Sequence, residues 1–226
     1  MGLAEDVDAL GALVEPQRLR VYEHLAGLGQ PSSLTEISEA LAMGRTLAAF
    51  HLGKLVEAGF VEALAPMPGG RGRPSQRYRA SRHEVSASVP PRHYELVAEV
   101  LLLAAEEQRA AEPLARTTSR VARRHGAAVA ATHRPARVPR TARARTAMVS
   151  SLLDDLGYAP RVDAGQLLLR NCPFDRLRQT NCQLVCSINH ALAEGYLDGL
   201  GVTASLTATL RPSEASCCVV VSSTLG

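Results

Sequence analysis

The chain has 226 residues, a formal net charge of only +3 and 4% aromatic residues with no tryptophan, enough length for two small domains with real cores. The near-neutral balance excludes a polycation, so nucleic-acid binding must rest on a local basic face, and the scarce aromatics argue against a stacking platform for single strands. No apolar run approaches the ~18 residues of a membrane span, and the acidic opening Met-Gly-Leu-Ala-Glu-Asp-Val-Asp lacks a basic signal-like segment, which points to the cytoplasm and to no membrane partner.

In chain order, Pro16 opens a helix whose Leu19, Val21, Tyr22 and Leu25 form an apolar stripe up to Gly27-Leu28-Gly29. Ser33 and Glu36 stand at capping-box spacing and begin a second helix with Leu34, Ile37 and Leu41 on one side. Met43-Gly44 turns into a third helix that starts near Arg45 and ends at Gly59. On it Ala48, Leu52 and Leu55 share the inward face with His51 at its edge, while Thr46, Ala49, Phe50, Gly53 and Lys54 point outward. Residues 60–64 and 76–79 read as short strands around the tip Pro-Gly-Gly-Arg-Gly-Arg-Pro at 68–74.

Two helices across a tight turn, followed by a basic hairpin, form the pattern of a winged helix-turn-helix over residues 1–85, with double-stranded DNA as its ligand. Arg45 and Thr46 start the third helix and suit base-edge or phosphate contacts, and Ala49, Phe50 and Lys54 continue that face. Phe50 can lie against thymine methyls, or else pack on the wing or on a partner subunit. Arg71, Arg73 and Arg77 from the wing complete the expected interface, since arginine favours backbone and narrow minor grooves.

Val89-Pro90-Pro91 marks a joint. A helix to about residue 109, with Tyr94, Val97, Val100, Leu101 and Ala104 at helical spacing, reads as a dimer helix, and residues 113–131 continue helical and alanine-rich. Residues 132–146, with two prolines and no apolar period, read as a mobile basic loop, so 86–146 forms a helical linker and dimerisation region. Residues 147–226 read as an α/β unit with helices at 147–156 and 184–200 and strands at 159–162, 166–170, 203–210 and 217–222. The fold class expected is α+β.

All five cysteines lie between Cys172 and Cys218. In a reducing compartment an odd, clustered set reads as metal ligands or redox thiols, with small buried core cysteines as the alternative. No C-x-x-C pair is present, a departure from zinc-finger knuckles. Cys172 follows a strand, Cys186 starts a helix and Cys217-Cys218 open the last strand, an arrangement suited to an iron–sulfur cluster. The helix N-terminus should favour a Cys186 thiolate. Strand alternation should aim only one of Cys217 and Cys218 at the cluster. Cys182 is either a fourth ligand or a neighbouring thiol, and His190 either a substitute ligand or a packing residue.

The stretches Gly-Arg-Thr-Leu-Ala-Ala-Phe-His-Leu-Gly-Lys-Leu-Val-Glu-Ala-Gly-Phe, Gly-Arg-Gly-Arg-Pro-Ser-Gln-Arg-Tyr-Arg and Val-Pro-Pro-Arg-His-Tyr-Glu-Leu resemble actinobacterial ArsR-like winged-helix regulators. Leu-Gly-Tyr-Ala-Pro-Arg-Val, Arg-Asn-Cys-Pro-Phe, Leu-Val-Cys and Cys-Cys-Val are similar to the C-terminal sensor domain of SufR-like iron–sulfur repressors. The resemblance implies a homodimer that binds an operator and carries a 2Fe-2S or 4Fe-4S cluster on Cys172, Cys186 and one of Cys217 and Cys218. Asp175 stands where relatives often have histidine, and Cys182 replaces a non-cysteine. The function expected is a transcriptional regulator whose operator affinity the cluster controls, with a zinc- or thiol-switch regulator as the alternative. An enzyme is not expected, because the chain has no P-loop, GxGxxG, GxSxG or HExxH motif.

Overall fold

The computed structural model describes residues 3–65, 76–109, 111–211 and 217–224 and is mixed α+β. The chain divides into two compact units, Met1–Ala87 and Ser88–Gly226. No helix among the described residues is long and apolar enough to cross a membrane.

The first unit contains α1 (Leu3–Gly11), α2 (Pro16–Leu28), β1 (Ser32–Ser33), α3 (Leu34–Ala40), α4 (Arg45–Glu57), β2 (Val61–Leu64) and β3 (Arg77–Ala80). Pro16 occupies the first turn of α2, and the Glu15 carboxylate caps it by accepting from the backbone N–H of Gln17 and Arg18 at 3.1 and 2.7 Å. Ser33 and Glu36 form the reciprocal capping box of α3. The strands make an antiparallel sheet of order β1-β3-β2, with Ser32 opposite Tyr78 and Val61 opposite Ala80. Val21, Leu25, Ile37, Met43, Ala48, Leu52, Leu55, Phe60 and Val61 form the core. His51, expected at the edge of the inward face, is buried there, with the partly exposed Glu15 carboxylate 3.4 Å from its Nδ1. Neither α1 nor β1 was expected; both are too short to show a convincing period.

The second unit contains α5 (Tyr94–Glu107), α6 (Leu114–Ala131), α7 (Ala142–Asp155), β4 (Pro160–Asp163), β5 (Gln166–Leu169), α8 (Asp175–Thr180), α9 (Cys182–Leu200), β6 (Leu206–Leu210) and β7 (Val219–Ser223). Its antiparallel sheet has the order β4-β5-β7-β6. One core gathers Val97 and Val100 of α5, Val121 of α6, Leu152 of α7, Leu167 and Leu169 of β5, and the buried face of α9. The segment 88–146 therefore packs with the cysteine-bearing elements.

Helix α7 begins at Ala142, inside the stretch expected to be a loop. Thr141 caps it by accepting from Ala144 N–H at 3.3 Å, and Arg145 donates to the Arg140 carbonyl at 3.1 Å. The first turn is exposed and built of alanine and arginine, so it carries no apolar period to read.

Helices α6 and α9 meet backbone to backbone. A Cβ at Gly195 would collide with the Arg123 carbonyl, one at Gly126 with the Leu192 carbonyl, and one at Gly199 with the Ala127 carbonyl. Arg123 closes the pair by donating to Asp198 at 2.6 Å. Arg120 and Arg124 both bind Glu107 and so tie α6 to α5. Gly195→Ala should lower stability by at least about 1–3 kcal/mol, the usual range for overpacking, because rigid backbone must move. Gly53→Ala, on an open face of α4 with no neighbour within 4 Å, should instead be neutral or stabilising by up to about 1 kcal/mol. Urea unfolding midpoints of the two variants check this contrast.

Candidate functional site

Two groups of residues carry chemistry, one in each unit. In the first, Arg45, Thr46, Ala49, Phe50 and Lys54 are all exposed on a single face of α4, and Ala48, His51, Leu52 and Leu55 are buried on the other. Phe50 is 55% exposed, with its ring edge-on to His51 and no other aromatic contact among the described residues. Leu47 adds a further apolar side chain, 45% exposed. Lys54 pairs with Glu57 at 2.6 Å. Arg77, 41% exposed at its side chain, also supports the scaffold: its guanidinium donates to the Pro31 carbonyl at 2.7 Å and to Glu36 at 3.3 Å, tying β3 to the capping box of α3. Arg71 and Arg73 lie outside the described residues.

In the second unit the cysteines converge from three elements. Cys172, Cys186, Cys217 and Cys218 are buried and Cys182 is exposed; all five are free thiols. Cys172 follows β5 in a loop whose carbonyl accepts from the Arg92 guanidinium at 2.8 Å and from Asp175 N–H at 3.2 Å. Asn171 fastens the same loop by donating to the Pro91 carbonyl at 3.0 Å, and His93 N–H donates to the Pro173 carbonyl at 3.1 Å. Gly157, with φ of 76°, permits this arrangement, since a Cβ there would stand 2.8 Å from Pro91.

Helix α9 begins two residues earlier than expected. Asn181 caps it by accepting from Leu184 N–H at 3.1 Å, which puts Cys182 in the first turn and Cys186 a full turn inside. Their sulfurs are 3.7 Å apart. Burial outweighs any helix-end effect on Cys186 and, with the neighbouring Cys182, pushes its thiol up to about 11; Cys218 acts in the opposite direction. The expected thiolate at Cys186 is thus a neutral thiol in the metal-free protein.

Cys217 and Cys218 precede β7 rather than belonging to it, so strand alternation does not separate them. Cys217 interacts electrostatically with Cys172 and Cys218, and Cys218 with Cys186. The interaction with Cys172 lowers the Cys217 thiol, yet Cys218 and burial prevail and push it up to about 11. Cys172 is raised well above the ordinary thiol range, first by Cys217 and then by burial.

The short helix α8 was not legible in the sequence, and it brings a cation to the thiols. Arg178 interacts electrostatically with Cys172 and Cys186, while Asp175 accepts from its guanidinium at 2.9 Å. That hydrogen bond holds the Asp175 carboxyl below its ordinary range. Asp175 is therefore engaged by Arg178, not aimed at the sulfurs. His190 Nε2 donates to the Ala208 carbonyl at 3.0 Å, a packing role. An Asp-x-x-Arg pair after Cys-Pro-Phe was the only sequence signal for α8.

Among the described residues, no three His, Cys, Asp or Glu side chains stand ready to hold a metal ion. The donor set nevertheless fits a soft metal or an iron–sulfur cluster in kind: buried thiols from a loop, a helix and a strand start, with a cation beside them. Loading requires the thiols to lose protons and close together. No protein-family model matches the chain, and no curated protein is detectably similar to it.

The raised thiols set the sign of a pH dependence. In the unfolded chain these groups ionise near the ordinary value of 9, whereas Cys186 and Cys217 in the fold do so near 11. Their contribution to stability is complete below pH 9 and is lost as pH rises toward 11, because the unfolded state releases protons first. The melting temperature of the metal-free protein should fall across that window, and Cys217→Ser should flatten the fall. A wild-type profile level from pH 9 to 11 would contradict the burial of neutral thiols.

Proposed function

We propose that the protein is a DNA-binding transcriptional regulator in which the first unit is a winged helix-turn-helix and the second holds an iron–sulfur cluster. The observation that carries the DNA reading is the bare outward face of α4, where Arg45, Thr46, Ala49, Phe50 and Lys54 are exposed together on a helix that follows α3 across a tight turn and precedes a hairpin. Such a face offers cations for phosphates, a hydroxyl and an amphipathic start for base edges, and an apolar ring for thymine methyls. Arg71 and Arg73 are assigned to the wing on sequence alone.

A homodimer on an inverted repeat matches the size of a single recognition helix, which covers one half-site. Leu102, 68% exposed, with Leu103 and Leu114, supplies apolar surface on and beside α5 for self-association. The thiol site is assigned to Cys172, Cys186 and either or both of Cys217 and Cys218, with Cys182 at its edge. When bound, an iron–sulfur cluster supplies ligation that oxidants and nitric oxide disrupt. Arg178 offsets thiolate charge, and Arg92 and Asn171 hold the Cys172 loop in place. The protein is assigned to the cytoplasm, where thiols stay reduced.

A zinc reading is compatible with one distance, which an ordinary thiol–thiol contact also gives. Two thiolates on tetrahedral zinc, each about 2.3 Å from the metal, stand about 3.8 Å apart. Cys182 and Cys186 match this at 3.7 Å. Anaerobic absorption with iron, sulfide and zinc analysis separates the two readings: a coloured, iron-containing protein supports the cluster, and a colourless zinc protein the alternative.

For the DNA reading, replacing Arg71 and Arg73 by alanine should weaken operator binding and flatten its salt dependence. Thr46→Ala or Phe50→Ala should alter base tolerance by about 1–3 kcal/mol per lost contact. Fluorescence anisotropy at several salt concentrations tests both, and unchanged affinity and slope in the double arginine variant would refute the wing. Cys172→Ser and Cys186→Ser should each abolish the cluster and change operator affinity by roughly 5–150-fold, the usual range of coupling between sites. Cys182→Ser should leave the cluster largely intact. Equal affinity of loaded and metal-free wild type would reduce the metal to a structural role.

A further inference from the structure

Asn189 is fully buried on α9, amid the apolar side chains that form the centre of the second unit. A buried side-chain amide is costly unless both its ends are bonded, and a leucine would fill the same space without that cost. Both ends are bonded here. Its Oδ1 accepts from the Tyr158 hydroxyl at 2.7 Å, and its Nδ2 donates to Cys217 Sγ at 3.1 Å. Tyr158 is itself 1% exposed and boxed edge-on by Phe174 and Tyr196, and its hydroxyl also interacts with that of Tyr196.

We propose that Asn189 is a positioning residue of the thiol site: its amide N–H holds the Cys217 sulfur in direction and withdraws charge from it as a metal ligand, while Tyr158 fixes which way the amide faces. The inference rests on the reading of the thiols as ligands. A thiolate can only accept hydrogen bonds, and a buried phenol hydroxyl needs an acceptor. The observed amide orientation, with Nδ2 toward sulfur and Oδ1 toward the phenol, meets both demands. The Tyr158–Asn189–Cys217 chain thus presents a donor that serves a metal-bound sulfur as well as the neutral thiol. Hydrogen bonds to ligand sulfurs are among the groups through which a protein orients its ligands and sets metal affinity and potential.

The test titrates metal-free protein with Cd2+ alone and follows thiolate-to-metal charge-transfer absorption, with folding monitored by circular dichroism. Wild type should bind with a charge-transfer band. Asn189→Leu should bind about 10–100-fold more weakly, the usual loss when a ligand's outer partner is removed, with unchanged absorbance per bound Cd2+. Tyr158→Phe, which deletes a single oxygen and keeps the ring, should weaken binding in the same direction by a smaller factor, and it carries the test alone if Asn189→Leu does not fold. Unchanged absorbance per metal identifies loss of positioning rather than loss of a ligand. A folded variant that melts at lower temperature but binds Cd2+ as tightly as wild type overturns the inference while leaving the ligand reading intact. A wild type without any thiolate band overturns the ligand reading and this inference together.

Discussion

The contact between α6 and α9 is the constraint on which the second unit depends. Gly126, Gly195 and Gly199 allow two backbones to meet where any side chain would clash, and the Arg123–Asp198 pair locks the outer end. Because α9 lies so close to α6, its other sides are free to bury Val185, Cys186, Asn189 and Tyr196 against the sheet and the Cys172 loop. A helix enclosed on nearly every side is a rigid support, and a site built on it inherits that rigidity.

Rigidity alone would produce an ordinary core. What distinguishes this one is the price of its polar contents: several neutral thiols, a buried amide and two buried phenols occupy positions that aliphatic residues could fill. Their interactions are mutual. Cys172, Cys217, Cys218 and Cys186 influence one another's ionisation, and the amide of Asn189 joins Cys217 to Tyr158. The same low-dielectric burial that keeps the thiols protonated without metal would strengthen their bonds to a soft cation once they are deprotonated. Arg178 interacts electrostatically with Cys172 and Cys186 and would offset charge on them.

The first unit solves a different problem. Helix α4 contributes Ala48, His51, Leu52 and Leu55 to a small core and leaves its opposite face exposed. Capping by Glu15 and by the Ser33–Glu36 box fixes the helices that support it, and Arg77 ties β3 to that same box. Arg77 thus serves the scaffold while its side chain stays 41% exposed beside the expected nucleic-acid surface.

Local chemistry made much of this readable from sequence. The capping box, the stripe on α4, the hairpin strands and the clustered cysteines are short-range patterns, and each was visible in spacing alone. Tertiary structure decided what spacing does not encode. It buried His51 near Glu15, turned Asp175 toward Arg178, began α7 inside a stretch with no apolar period, and placed Cys217 and Cys218 just before the last strand rather than in it. It also reversed the expected charge state of Cys186, since burial depends on residues far away in the chain. The sequence by itself determined the types of the longer, periodic elements and the chemical inventory, because propensity, capping and periodicity are local. The partners of each buried polar group were decided only by the fold, because desolvation and hydrogen bonding act between neighbours in space.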